Sequence, residues 1–338
     1  MALYYLLMAD SLLIAACNLE GIPMKKLAIL GECMIELNGE PFGEMHQTYG
    51  GDSLNTATYL ARVSSPEQIE VRYISALGTD KLSQGMLAAW QVDNINTDFV
   101  LRDEHRQPGL YLIQLDKQGE RTFLYWRNQS AARYLLQHPG YPKALSALNE
   151  VDMVYLSGIS LAILPENDRT LLIAQLRELK TQGVKIAFDS NYRPKLWESV
   201  AAAQAHYAEL LQLVDLALVT FDDEQLLWGD VNEQATFDRL TQYGIQTIVV
   251  KQGSLGATVL QNGERTFVPT VAVEKVVDTT SAGDSFNAGF LNGYLLGKDV
   301  VTCCQQGNAV AGIVIQHKGA IIAKSATTHL KSQFEQSI

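Results

Sequence analysis

Asp278-Thr279-Thr280-Ser281-Ala282-Gly283-Asp284-Ser285-Phe286 joins a polar, β-branched approach to a helix-like run over residues 286–296. In that run Phe286 and Phe290 stand four apart, as do Gly289 and Gly293, so one stripe is apolar and another permits close packing. A turn of small residues before a helix presents unpaired N–H groups and the positive end of the helix dipole, which suits an anion such as phosphate. Asp284 would repel that anion unless it acts on the atom attacking it, which makes Asp284 a candidate general base. An acidic first turn that only stabilises its helix is the other reading of the same residues, and the turn alone leaves both open.

Upstream, strand-like and helix-like runs alternate. Residues 153–156, 184–189, 216–220, 246–251 and 257–261 read as strands; 166–182, 199–213, 233–243, 285–296 and 300–317 read as helices. Such alternation predicts an α/β fold, a mostly parallel central sheet flanked by helices with ligands at the strand C-terminal ends. Residues 27–37 open with a continuous apolar run, as a doubly buried strand does. Gly50-Gly51-Asp52-Ser53-Leu54-Asn55-Thr56-Ala57 reads as a glycine turn entering a helix, with Asp52 and Asn55 about one turn apart at its start. A plain N-cap is the competing reading there. Residues 71–75 form the next strand and 80–92 the next helix.

The texture changes between 97 and 127. Two short alternating segments, 110–115 and 121–127, flank Asp116-Lys117-Gln118-Gly119-Glu120, a hairpin loop by its glycine and polar content. Together with about 37–49 they predict a small β-sheet lid outside the parallel sheet. Tyr125 and Arg127 share one strand face, as do Tyr111 and Ile113. That face suits an exposed edge, a dimer surface or the roof of a site.

The stretch 278–286 resembles the C-terminal signature of the ribokinase-like (PfkB) carbohydrate kinases, Asp-Thr-x-small-Ala-Gly-Asp, with Ser281 where glycine is commoner. The likeness runs from residue 24 to about 323. It implies a ribokinase-like fold, ATP and Mg²⁺ as cofactors, Asp284 as catalytic base, and an anion hole from the amides of Ala282, Gly283 and Asp284. It further implies that Gly51, Asp52 and Asn55 meet substrate hydroxyls. Asn191, Lys251, Gly253, Gly256, Ser281 and Asn308 are expected beside the nucleotide. Phe221-Asp222-Asp223-Glu224 keeps the glutamate of the family's Asn-x-x-Glu but not its asparagine, so Glu224 is expected to touch the metal through water; an acidic helix start is the alternative.

Asp189-x-Asn191-x-Arg193, and Gly109-Leu110-Tyr111 with Tyr125-x-Arg127, resemble the branch of the family that phosphorylates 2-keto-3-deoxygluconate at its 6-position. The resemblance implies Tyr111, Tyr125, Arg127 and Arg193 around the sugar. Guanidinium pairs bidentately with a carboxylate, and a neutral sugar would leave two buried arginines without counter-charge. A sugar acid is therefore expected. A neutral-sugar kinase of the ribokinase or fructokinase type, and a non-catalytic sugar-acid sensor, are the alternatives.

Composition bounds the rest. The 338 residues, 47% hydrophobic and 19% charged, describe a globular protein able to bury a core. A net charge of −11 argues against nucleic acid or an anionic membrane as partner. Cys17, Cys33, Cys303 and Cys304 lack Cys-x-x-Cys spacing, so packing thiols in a reducing, cytoplasmic compartment are expected. There is no Gly-x-x-x-x-Gly-Lys-[Ser/Thr], so phosphate binding is not by a P-loop. Residues 1–23 are apolar but lack a basic start and are interrupted by Asp10. They read as an upstream extension from a misassigned start, before a single kinase domain expected at 24–330. A homodimer or higher homo-oligomer is expected, with lid strands pairing between subunits.

Overall fold

The computed structural model describes residues 23–115 and 121–336; the hairpin loop read at 116–120 and residues 1–22 of the extension lie outside the described residues. The strands in chain order are β1 (Lys25–Leu30), β2 (Met34–Gly39), β3 (Met45–Gly50), β4 (Ile69–Gly78), β5 (Ile95–Asn96), β6 (Val100–Asp103), β7 (Leu110–Leu115), β8 (Arg121–Trp126), β9 (Met153–Ser157), β10 (Lys185–Asp189), β11 (Leu216–Thr220), β12 (Thr247–Lys251), β13 (Gly256–Gln261) and β14 (Glu264–Pro269). The main sheet has the order β14-β13-β12-β11-β10-β9-β1-β4-β5, with β6 also paired to β4. Every pairing from β12 to β5 and β6 is parallel; only the β12–β13 and β13–β14 pairings are antiparallel.

Period-2 alternation divides each central strand between two cores. Ala28 and Leu30 of β1 enter one cluster with Val154, Leu156, Ile186 and Phe188, while Leu27 and Ile29 enter the other with Met153, Tyr155 and Ala187. Both faces are therefore apolar, and the strands read as continuous hydrophobic runs. In the second cluster the helix Ala282–Leu295 packs against the helices Asp52–Val63 and Val300–Val314. At Gly289 a Cβ would stand 2.4 Å from the Gln306 carbonyl oxygen, so this crossing requires glycine.

The strand read over 27–37 is two strands. The chain leaves the main sheet after Leu30, and Met34–Gly39 joins a second sheet of order β3-β2-β7-β8. That small sheet matches the expected lid with shifted bounds: it is built of Met34–Gly39, Met45–Gly50, Leu110–Leu115 and Arg121–Trp126, whereas Val100–Asp103 stays on β4. Just past the break the chain passes so close to Ser53 that a Cβ on Gly31 would lie 2.1 Å from its Oγ, so this position requires glycine. Strand β14 was not among the expected strands. Asn262 and Gly263, at φ +53° and +81°, form the tight turn that folds it back on β13, and Asn-Gly is the sequence signal for such a hairpin.

Candidate active site

Hydrogen bonds gather the C-terminal ends of β9, β10 and β12 around the N-termini of two helices, Asp52–Val63 and Ala282–Leu295. The second helix is preceded by Ser281 in the left-handed conformation, φ +66°, with no side chain capping it. Glycine adopts that conformation without a Cβ penalty, which is the physical content of the one departure from the signature. The Ser281 hydroxyl is buried with no partner. Of the three amides expected to bind an anion, Ala282 donates to the Thr279 carbonyl at 3.2 Å and closes a turn. The amides of Gly283 and Asp284 have no acceptor among the described residues and remain the helix's open donors.

Asp284 Oδ2 accepts from Asn55 Nδ2 at 2.8 Å, and Thr56 Oγ1 donates to the Asp284 carbonyl at 3.2 Å. Asp52 Oδ2 in turn accepts from Asn191 Nδ2 at 2.9 Å and from the Ser157 hydroxyl. Gly51 lies at the start of this helix with no room for a side chain, since a Cβ would meet the Glu32 carbonyl oxygen at 2.2 Å. Burial pushes the Asp284 carboxyl up to about 7, helped by the charges of Asp52 and Asp189 and opposed by the Asn55 hydrogen bond and Lys251. Burial also raises Asp52, against the pull of its Ser157 hydrogen bond. A carboxylate poised near neutrality beside open helix amides can remove a hydroxyl proton while the amides hold an oxyanion.

Lys251, at the end of β12, is buried and donates to Asp189 Oδ2 at 2.9 Å and Asn287 Oδ1 at 3.0 Å. Asn287 Nδ2 donates to the same Asp189 oxygen at 2.6 Å and to Tyr155 Oη at 3.1 Å. The Lys251 ammonium lies 3.6 Å from where a Cβ of Gly283 would stand, so it borders the open amides.

On the lid, Tyr111 lies directly opposite Tyr125, their rings 6.0 Å apart. Tyr111 donates to the buried Glu36 carboxylate. Arg127 pairs with buried Glu32, and its guanidinium stands 5.9 Å from the Tyr125 ring. Arg193 donates to the Tyr192 carbonyl at 2.8 Å and pairs with Asp223 at 3.3 Å, about half exposed. Burial raises the Tyr125 phenol, and both arginines oppose that rise, so both reach its surroundings. The expectation that the arginines lack counter-charge is overturned: Glu32 and Asp223 supply it. Asp223 is itself pushed up to about 6, by burial first, with Arg193 opposing.

Four expected residues make other contacts. Glu224 is buried against Arg239 at 2.6 Å, leaving its Oε1 without a partner. Asn308 donates to the Pro269 carbonyl at 3.1 Å, tying its helix to β14. Gly253 opens a 3-10 turn after β12 and Gly256 begins β13. Conversely, Asp189, Asn287, Ser157, Glu32, Glu36 and Asp223 belong to the network and were not among the expected site residues. An acid closing an apolar strand (Asp189) and an amide inside an apolar helix (Asn287) were the available signals. Among the described residues no cluster of three His, Cys, Asp or Glu could hold a metal, and no helix is long and apolar enough to cross a membrane.

The model of the pfkB family of carbohydrate kinases matches residues 24–327. A 2-dehydro-3-deoxygluconokinase of Haemophilus influenzae is 62% identical over 316 residues, covering 92% of this chain and all of that protein. Among solved structures, a 2-dehydro-3-deoxygluconokinase of Thermotoga maritima matches with a TM-score of 0.76 at 20% identity, over 91% of this chain and 98% of that one. A Xylella fastidiosa fructokinase with bound ATP matches with a TM-score of 0.77 at 20% identity, over 93% and 99%.

Proposed function

The chain belongs to the pfkB family of carbohydrate kinases, and from that premise we propose that it transfers the γ-phosphoryl group of ATP to 2-keto-3-deoxygluconate, giving the 6-phospho product and ADP. The observation that carries the reaction is Asp284, a carboxyl raised to about 7 beside open helix amides. Asn55 holds one of its oxygens. Asp284 takes the proton of the terminal hydroxyl as that oxygen bonds to the γ-phosphorus and the bond from phosphorus to the ADP oxygen breaks. The Gly283 and Asp284 amides, with Ala282 completing the turn and Lys251 alongside, meet the charge on the transferred group.

Asn191, Lys251, Gly253, Gly256, Ser281 and Asn308 flank the nucleotide in this reading. Mg²⁺ fits as an ion held mainly by phosphate oxygens and water, as is usual for it, because the nearby carboxylates are committed: Asp189 to Lys251 and Asn287, Glu224 to Arg239. Glu224 Oε1 is buried without a hydrogen-bond partner among the described residues and is available for a water-mediated contact. When bound, the ion neutralises phosphate charge.

Gly51, Asp52, Asn55, Tyr111, Tyr125, Arg127 and Arg193 surround the sugar acid. Because each arginine already has a carboxylate partner, their number alone does not require an acidic substrate; the relatives at high identity favour it. The same pairing is the observation that favours a neutral sugar as second reading. ADP release measured with Mg-ATP against 2-keto-3-deoxygluconate, gluconate, fructose and ribose separates them. Turnover confined to the keto-deoxy acid is expected, and turnover with fructose or ribose alone would discard the sugar acid. Ligand binding without ADP release would favour a sensor.

A homodimer completes the reading, in a reducing, cytoplasmic setting. Strand β8 is an edge of the small sheet and exposes Phe123, Leu124, Tyr125 and Trp126 by 40–58%. Light scattering should give twice the 37.3 kDa chain mass, and a monomer mass would contradict it.

A further inference from the structure

Glu32 follows β1 at the point where the chain leaves the main sheet, and its side chain is 1% exposed. Among the described residues its side chain has one hydrogen-bonded partner, Arg127 Nη2, from the residue that follows β8, 95 positions later. The Arg127 side chain is 10% exposed, and among the described residues Glu32 accepts the only hydrogen bond of its guanidinium, with Nε buried and unpartnered. Gly109, which leads into β7, completes the contact, since a Cβ there would lie 2.9 Å from Glu32 Oε1 and 3.2 Å from the Arg127 Cβ. A single buried carboxylate, itself in the link from β1 to β2, thus meets the segments that lead into β7 and out of β8.

We infer that Glu32 is a positioning residue for sugar-acid recognition, fixing the Arg127 guanidinium so that its remaining edge is presented to the substrate carboxylate. The inference rests on the proposed assignment of Arg127 to that carboxylate. A guanidinium has five donors in a rigid plane, so one edge can be held by protein while the other serves a ligand. An arginine anchored before binding loses less freedom on binding than one reaching in from solvent. Glu32 is too buried to touch the sugar and acts through Arg127.

A double-mutant cycle tests this. Glu32→Gln, which keeps the shape and removes the charge, should raise KM for 2-keto-3-deoxygluconate about tenfold, leaving KM for ATP and kcat within about twofold. In an Arg127→Ala background the same change should add nothing, a coupling that a general loss of stability does not produce. If Glu32→Gln folds poorly, Glu32→Asp, which retracts the carboxylate by one methylene, carries the same test. An unchanged or lowered KM in Glu32→Gln would overturn the inference, as would equal effects in both backgrounds. A normal KM in Arg127→Ala itself would instead defeat the carboxylate assignment, and this inference with it.

Discussion

The opposing influences on the Asp284 carboxyl can be separated residue by residue. Burial and the charges of Asp52 and Asp189 raise it to about 7; the Asn55 hydrogen bond and Lys251 lower it. As the proposed base it must work ionised, and the ionised fraction grows as pH rises through its pKa. For the free enzyme kcat/KM should therefore climb about tenfold per pH unit below roughly 7 and level above it. Asp52 lies within its electrostatic reach, so the acid limb belongs to the pair rather than to Asp284 alone. Removing the Asn55 donor in Asn55→Leu removes a lowering influence and should move the limb to higher pH. A limb near pH 4 in the parent enzyme, or no upward movement in Asn55→Leu, would contradict this description of the site.

Between elements, legibility followed sequence distance. The turn and helix at 278–296 were readable because the anion-facing feature and the helix lie within a few residues; the structure moves the helix start three residues earlier, to Ala282. The lid strands were readable by alternation, and their pairing places Tyr111 opposite Tyr125. What local pattern could not convey is which elements exchange hydrogen bonds. Asn55 and Asp284 are 229 positions apart, and Lys251 and Asp189 are 62. The counter-charge argument for the two arginines failed for the same reason. Glu32 sits in an apolar strand context and Asp223 in an acidic helix start, and neither advertises its partner.

Across the whole molecule, the parallel sheet turns this long-range assembly into a consequence of topology. Parallel strands end on one edge, so β9, β10 and β12 deliver Ser157, Asp189 and Lys251 together, while the helices from Asp52 and Ala282 bring their N-termini to the same place. The class of fold was legible from alternation of runs, and with it the strand ends where the candidate site lies; the hydrogen-bonded network within that candidate site was not. In the proposed reaction this assembly lets Asp284 accept a proton. The direct measurement is the kcat of Asp284→Asn with 2-keto-3-deoxygluconate and Mg-ATP, alongside binding of both substrates by calorimetry. A kcat lowered about 10²–10⁴-fold with both substrates still bound is predicted. A kcat within about threefold of the parent would contradict it.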